Sequence, residues 1–162
     1  QTRFSEMTSV PVLELCEFLH TVPGSKPINA WFPWKTGLHL SCHWLRGLRL
    51  ASASELGGPR YSVAEELLRQ VEGLELVPLD RTDECCGFGG TFAVSEEAVS
   101  VAMGNDRLND HQRNGAEVIT GTDLSCLIHL EGLIRRQGRK MRVMHIAEIL
   151  NSRRGNGSSG RG

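Results

Sequence analysis

Glu84-Cys85-Cys86-Gly87-Phe88-Gly89-Gly90-Thr91 sets two adjacent thiols at the head of three glycines in four positions. Thiolates are soft ligands suited to zinc, copper(I) and iron-sulfur clusters. The glycines let the backbone turn sharply and approach a bound group closely. Two more cysteines flank this stretch: Cys42 in Ser41-Cys42-His43-Trp44, and Cys126 in Thr122-Asp123-Leu124-Ser125-Cys126-Leu127-Ile128-His129. Structural zinc sites are usually built from Cys-x-x-Cys knuckles, and this chain has none. Adjacent cysteines more easily serve two neighbouring metal atoms than one tetrahedral centre, which tilts the reading from zinc towards an iron-sulfur cluster. Backbone N–H groups of Gly87, Gly89 and Gly90 could then face the cluster sulfides and tune its reduction potential.

The remaining chemistry-bearing residues divide by position. Cys126 falls in the first turn of an expected helix, where the dipole favours a thiolate. His129 is three residues on and shares that face, so it reads as a fifth ligand, as a donor behind the ligands, or as a partly buried helix histidine. His43 suits a hydrogen bond beside Cys42, and His39 and His145 are read as structural. Cys16 lies on an apolar helical stripe and is assigned to packing. Thiol-disulfide exchange at Cys85 and Cys86 without a metal is the remaining redox reading. Gly87-Phe88-Gly89-Gly90 lacks the Gly-x-Gly-x-x-Gly spacing of a dinucleotide loop.

The elements that must hold these residues alternate. Apolar spacing predicts a helix over 10–22 begun by Pro11 and ended by Pro23-Gly24, then an extended aromatic cluster, Trp31-Phe32-Pro33-Trp34, assigned to the core. Strands are expected at 38–42, 74–78, 116–120 and 141–144. Helices are expected at 60–71, from Ser95 to about Asn114, from Asp123 to Gln137 before Gly138, and at 145–150. Strands separated by helices give an α/β domain with a mainly parallel sheet and flanking helices. Cys42, the Cys85/Cys86 pair and Cys126 each follow an expected strand, on the side where such folds gather ligands.

Length and charge narrow the function. With 162 residues the chain fits one domain. Its 18 Lys and Arg against 19 Asp and Glu leave a formal charge of -1, which gives no field for nucleic acid or an anionic membrane. No apolar run reaches the roughly 18 residues of a transmembrane helix, so a cytoplasmic location is expected. An odd count of five cysteines fits a disulfide framework poorly. The chain starts at Gln1 and reads as part of a longer protein.

The three cysteine segments together resemble the cysteine-rich CCG domain, and most closely the lactate utilization protein A family, which is related to the glycolate oxidase iron-sulfur protein and to heterodisulfide reductase. Residues 151–162 are rich in Gly and Ser and lack apolar anchors, so a disordered tail is expected there. The resemblance runs from about Val12 to Leu150 and implies an N-terminal helix and linker at 1–37 ending a preceding half-domain, and one CCG domain at 38–150. It implies an iron-sulfur electron-transfer subunit of a cytoplasmic complex oxidising L-lactate to pyruvate, working beside other lactate-utilization subunits, including a ferredoxin-type iron-sulfur protein. Cys42, Cys85, Cys86 and Cys126 are the implied ligands of a [4Fe-4S] cluster, with His129 standing where the family pattern ends in Cys-x-x-Cys. A zinc-binding assembly domain is the alternative. The family also carries two CCG halves, of which this chain resembles the second.

Overall fold

The computed structural model describes residues 9–22 and 28–154. Among these, four strands, β1 (Lys35–His39), β2 (Glu75–Leu76), β3 (Val118–Gly121) and β4 (Arg142–His145), form one parallel sheet in the order β2-β1-β3-β4. Thr36 pairs with Val118 and His39 with Gly121, so the ends of β1 and β3 lie level. From β1 the chain moves outward to β2 and then returns to β3 on the other flank. The crevice beyond the ends of β1 and β3 is therefore the switch point where such sheets bind ligands.

Six α-helices accompany the strands among the described residues: α1 (Leu15–Thr21), α2 (Val63–Leu68), α3 (Phe92–Ser95), α4 (Glu97–Arg113), α5 (Leu124–Gln137) and α6 (Ile146–Leu150). Their ends follow local chemistry. Glu14 and Glu17 close a reciprocal capping box on α1, so the helix begins at Leu15 and not at the expected entry, Pro11. Ser62 accepts from Glu65 N at the start of α2, and Asp123 from Ser125 N at the start of α5. Gly138 ends α5 in the left-handed conformation, as the sequence predicts. The expected stop at 23–27, and 155–162 of the expected tail, lie outside the described residues. Residues 152 and 153 are tied down, with Ser152 Oγ donating to Trp31 O at 2.8 Å and Arg153 to Asn29 O at 2.7 Å.

Both faces of the sheet are covered. One core gathers Trp44, Leu45, Leu67, Leu68, Val118, Ile146 and Ile149; the other gathers Leu108, Ile119, Leu127, Leu130, Ile134 and two cysteines, Cys86 and Cys126. Val118 and Ile119 point to opposite cores, as consecutive strand residues must. Each fully buried Leu or Ile stabilises the fold by about 1.5–3 kcal/mol. Of the aromatic cluster, Phe32 enters the first core, while Trp34 is 39% exposed and carries the Arg142 guanidinium 4.2 Å from its ring centroid.

Candidate metal centre

Cys42 does not end a strand. β1 stops at His39, and Cys42 leads into a wide π-helical turn, His43–Leu48, which no spacing in the sequence predicts. Trp44 N donates to Ser41 Oγ at 3.2 Å and Leu45 N to Ser41 O at 3.0 Å. Trp44 and Leu45 are almost fully buried, so they anchor this turn in the core and leave Cys42 half-buried at the mouth of the crevice. His43 is exposed and its ring lies over Gly47 of its own turn.

The vicinal pair arrives from β2 on a long connection that α4 clamps. Asp110, buried on α4, accepts from Asp80 N and Arg81 N at 3.1 Å each and from Asn114 Nδ2 at 2.9 Å. Arg107, fully buried one turn earlier, donates to the Arg81 carbonyl and faces Asp110 at 3.2 Å. Asp83 accepts from Ser54 N at 2.7 Å, and its hydrogen bonds to Ser54 hold its carboxyl below the usual range. Gly87 then turns the chain at φ 88°, with its Cα pressed on α4: an added Cβ would lie 2.5 Å from Ser100 O. A side chain there is excluded by both strain and space. Gly87 N–H donates to Cys85 Sγ at 3.4 Å, and the neighbouring Phe88 N–H favours the Cys86 thiolate. Gly89 and Gly90 are exposed and shape the turn into α3, where Gly89 O accepts from Phe92 N at 3.3 Å.

Cys126 enters from the first turn of α5 and is 8% exposed. The thiols of Cys42 and Cys85, of Cys85 and Cys86, and of Cys86 and Cys126 interact in succession. Four cysteines from three connections thus form one row, running from the half-buried Cys42 and Cys85 to the buried Cys86 and Cys126. All are free thiols, as is Cys16. Contact with Cys126, offset in part by Cys85, and burial push the Cys86 thiol up to about 12; contact with Cys86 and burial raise Cys85 further, and burial raises Cys42. Adjacent thiolates cannot share so dry a site without a cation.

The interior end of the row holds residues that the sequence pattern assigns to scaffold. His39 is 2% exposed, and its ring nitrogen and the sulfurs of Cys86 and Cys126 all lie within 4.8 Å of one another. Neither His39 nitrogen has a hydrogen-bond partner, and burial drives its pKa down to about 3. His111 on α4, also buried and unpartnered, packs so closely on β1 that a Cβ at Gly37 would meet its Nδ1 at 2.1 Å. His129 flanks the row. Its buried Nε2 also lacks a partner and, with Cys86 O, borders the space over Gly104 Cα, while its ring centroid is 6.1 Å from that of Phe88. Trp44 Nε1, Glu84 Oε2 and Arg107 Nε are further buried polar atoms without hydrogen bonds. Such atoms are uncommon in a finished interior. The unpartnered nitrogens of His39 beside two soft ligands fit a site built for an additional charged or polar group.

Fold and site together define a cysteine-rich α/β domain whose thiols converge at the carboxyl edge of a parallel sheet. A model of the CCG cysteine-rich domain matches residues 36–131, and the chain belongs to that family. It is similar to lactate utilization protein A of Exiguobacterium sp., 39% identical over 147 residues that make up 91% of this chain and 56% of that protein. Lactate utilization protein A of Shouchella clausii is 38% identical over 153 residues, 94% of this chain and 59% of that protein. The Geobacillus sp. (strain WCH70) protein of the same name is 37% identical over 140 residues, 86% and 55% respectively. The chain therefore spans a little over half the length of these relatives. Among the described residues, no helix is long and apolar enough to cross a membrane.

Proposed function

We propose that the domain holds an iron-sulfur cluster of the [4Fe-4S] type and serves as an electron-transfer element of a lactate-utilization system. The observation that carries this reading is the unbroken row Cys42–Cys85–Cys86–Cys126, which supplies four thiols from three separate connections. These four are the assigned thiolate ligands. When bound, the cluster supplies reversible one-electron storage. The chain's own contributions are distinct. Gly87 and Phe88 offer N–H groups to the sulfurs of Cys85 and Cys86, which favours the anionic thiolate. Gly89 and Gly90 lie exposed on the solvent side of the loop, in the turn into α3. Arg107 lends an interior positive charge that favours thiolate at Cys86.

The names of the relatives support lactate as the substrate of the whole assembly. In this reading the domain passes electrons towards a ferredoxin-type iron-sulfur partner in the cytoplasm and does not abstract them from lactate itself. Its half-buried outer thiols face that exchange.

A second reading has its own observation. The compact group His39, Cys86 and Cys126 suits one tetrahedral zinc, which would make the domain a structural assembly module. Redox titration of the anaerobically purified chain, followed by electron paramagnetic resonance, separates the two. A signal that appears on one-electron reduction and vanishes on reoxidation is expected; a colourless, redox-silent chain with bound zinc contradicts the electron-transfer reading.

A further inference from the structure

We infer that His39 supplies a nitrogen ligand to the metal group from the buried side of the site, an inference that rests on the metal reading above. The ring sits where a ligand must. Its nitrogen and the sulfurs of Cys86 and Cys126 lie within 4.8 Å of one another, and all three side chains are buried. Its backbone is fixed, since His39 pairs with Gly121 at the ends of the two inner strands, and Gly121 approaches so closely that an added Cβ would lie 2.8 Å from His39 O. Its hydrogen bonding is unmet at both nitrogens by any protein group, and only 2% of the residue is exposed. Leaving a buried polar group unpaired costs about 1–3 kcal/mol, and a strand position facing an apolar core would hold Val or Ile without that loss. A metal at the thiol row removes the conflict at one nitrogen. His111, beside it and itself unpartnered, is placed to take the N–H of the other, the arrangement by which bound imidazoles are usually oriented.

His129 stands differently. Its unpartnered Nε2 lies over Gly104, in the space bordered by the Cys86 carbonyl and Leu133. A neutral imidazole from β1 in place of a fifth anionic donor leaves the site less negative. Histidine ligation raises reduction potentials in that way.

The test reads nitrogen directly. The full chain, labelled with 15N-histidine and purified anaerobically, is reduced by one electron and examined by pulsed electron paramagnetic resonance alongside iron and sulfide analysis. Strongly coupled histidine nitrogen is expected in the unaltered chain and in the double variant His43→Asn/His129→Asn, and its loss is expected in His39→Asn. Iron and sulfide bound at normal levels with only weakly coupled nitrogen in the double variant would overturn the ligand and leave the cluster reading standing. Strong coupling that persists in His39→Asn would overturn it equally. A chain that binds zinc without iron or sulfide would end the cluster reading while leaving His39 a ligand of that zinc, and a chain that binds no metal at all would overturn the ligand. Should His39→Asn fail to fold, the unaltered chain and the double variant still decide.

Discussion

His39 and His111 show how far a polar residue can be carried into an apolar core when a site requires it. Burial holds His39 neutral down to about pH 3 and keeps His111 well below the ordinary value of 6.5, at which both titrate once the chain unfolds. Between these limits the unfolded chain binds more protons, so the stability they allow is complete above pH 6.5 and is lost as pH falls towards 3. Each histidine contributes a slope of about 1.4 kcal/mol per pH unit. Urea unfolding of the metal-free chain should therefore show a midpoint that drops between about pH 7 and pH 5; a flat midpoint would mean that these rings reach solvent. At the cysteines the expected outcome is a contrast. Cys85→Ser and Cys86→Ser lose most of the bound iron. Cys16→Ser keeps it, because Cys16 is wholly buried in the other core, with its thiol held up to about 12 by burial and Glu14. Equal iron content in all three would remove the vicinal pair from the site.

The element that sets the geometry is α4, and its logic is the least visible in the sequence. Its inward face carries Ser100, Gly104, Arg107, Asp110 and His111, all of them buried. Hydrophobic spacing is blind to such a face, so start and stop signals alone predict the helix near its true span of Glu97–Arg113. Two substitutions test its role. Asp110→Ala strands Arg107 as a buried, unpaired cation and frees the backbone N–H groups of Asp80 and Arg81; breaking a buried pair in this way costs about 3–5 kcal/mol. Denaturant unfolding should report that loss, and iron binding should fall with it as the Cys85 connection detaches. Gly104→Ala places a methyl 2.3 Å from Leu133 Cδ1 and 3.2 Å from Cys86 O, so the Leu133 side chain must shift and the Cys86 segment must give by a few tenths of an ångström. Overpacking of this kind costs about 1–3 kcal/mol. Full iron content and unchanged stability in Gly104→Ala would show that α4 does not hold the site.

At the scale of the whole molecule, a sheet covered on both sides explains what was legible and what was not. The order of strands and helices could be read from apolar spacing and caps, and the three cysteine segments could be placed beyond strand ends because chain reversal is forced by glycine and proline. Strand limits shifted by up to three residues, since β1 runs from Lys35 to His39 and leaves Cys42 to a π-helical turn that no spacing rule signals. His39 escaped because Leu38-His39-Leu40 alternates like a strand with one wet face. In a parallel sheet the second face is also dry, so the polar residue of the alternation is driven inward, towards Cys86 and Cys126. The row of thiols follows from the same topology. β1, β2 and β3 are adjacent and parallel, so their outgoing connections meet at one edge. Whether that edge is built for an iron-sulfur group is measured most directly as iron, acid-labile sulfide and zinc per chain in anaerobically purified protein. About four irons and four sulfides with negligible zinc are predicted for a [4Fe-4S] site; stoichiometric zinc without sulfide would contradict it.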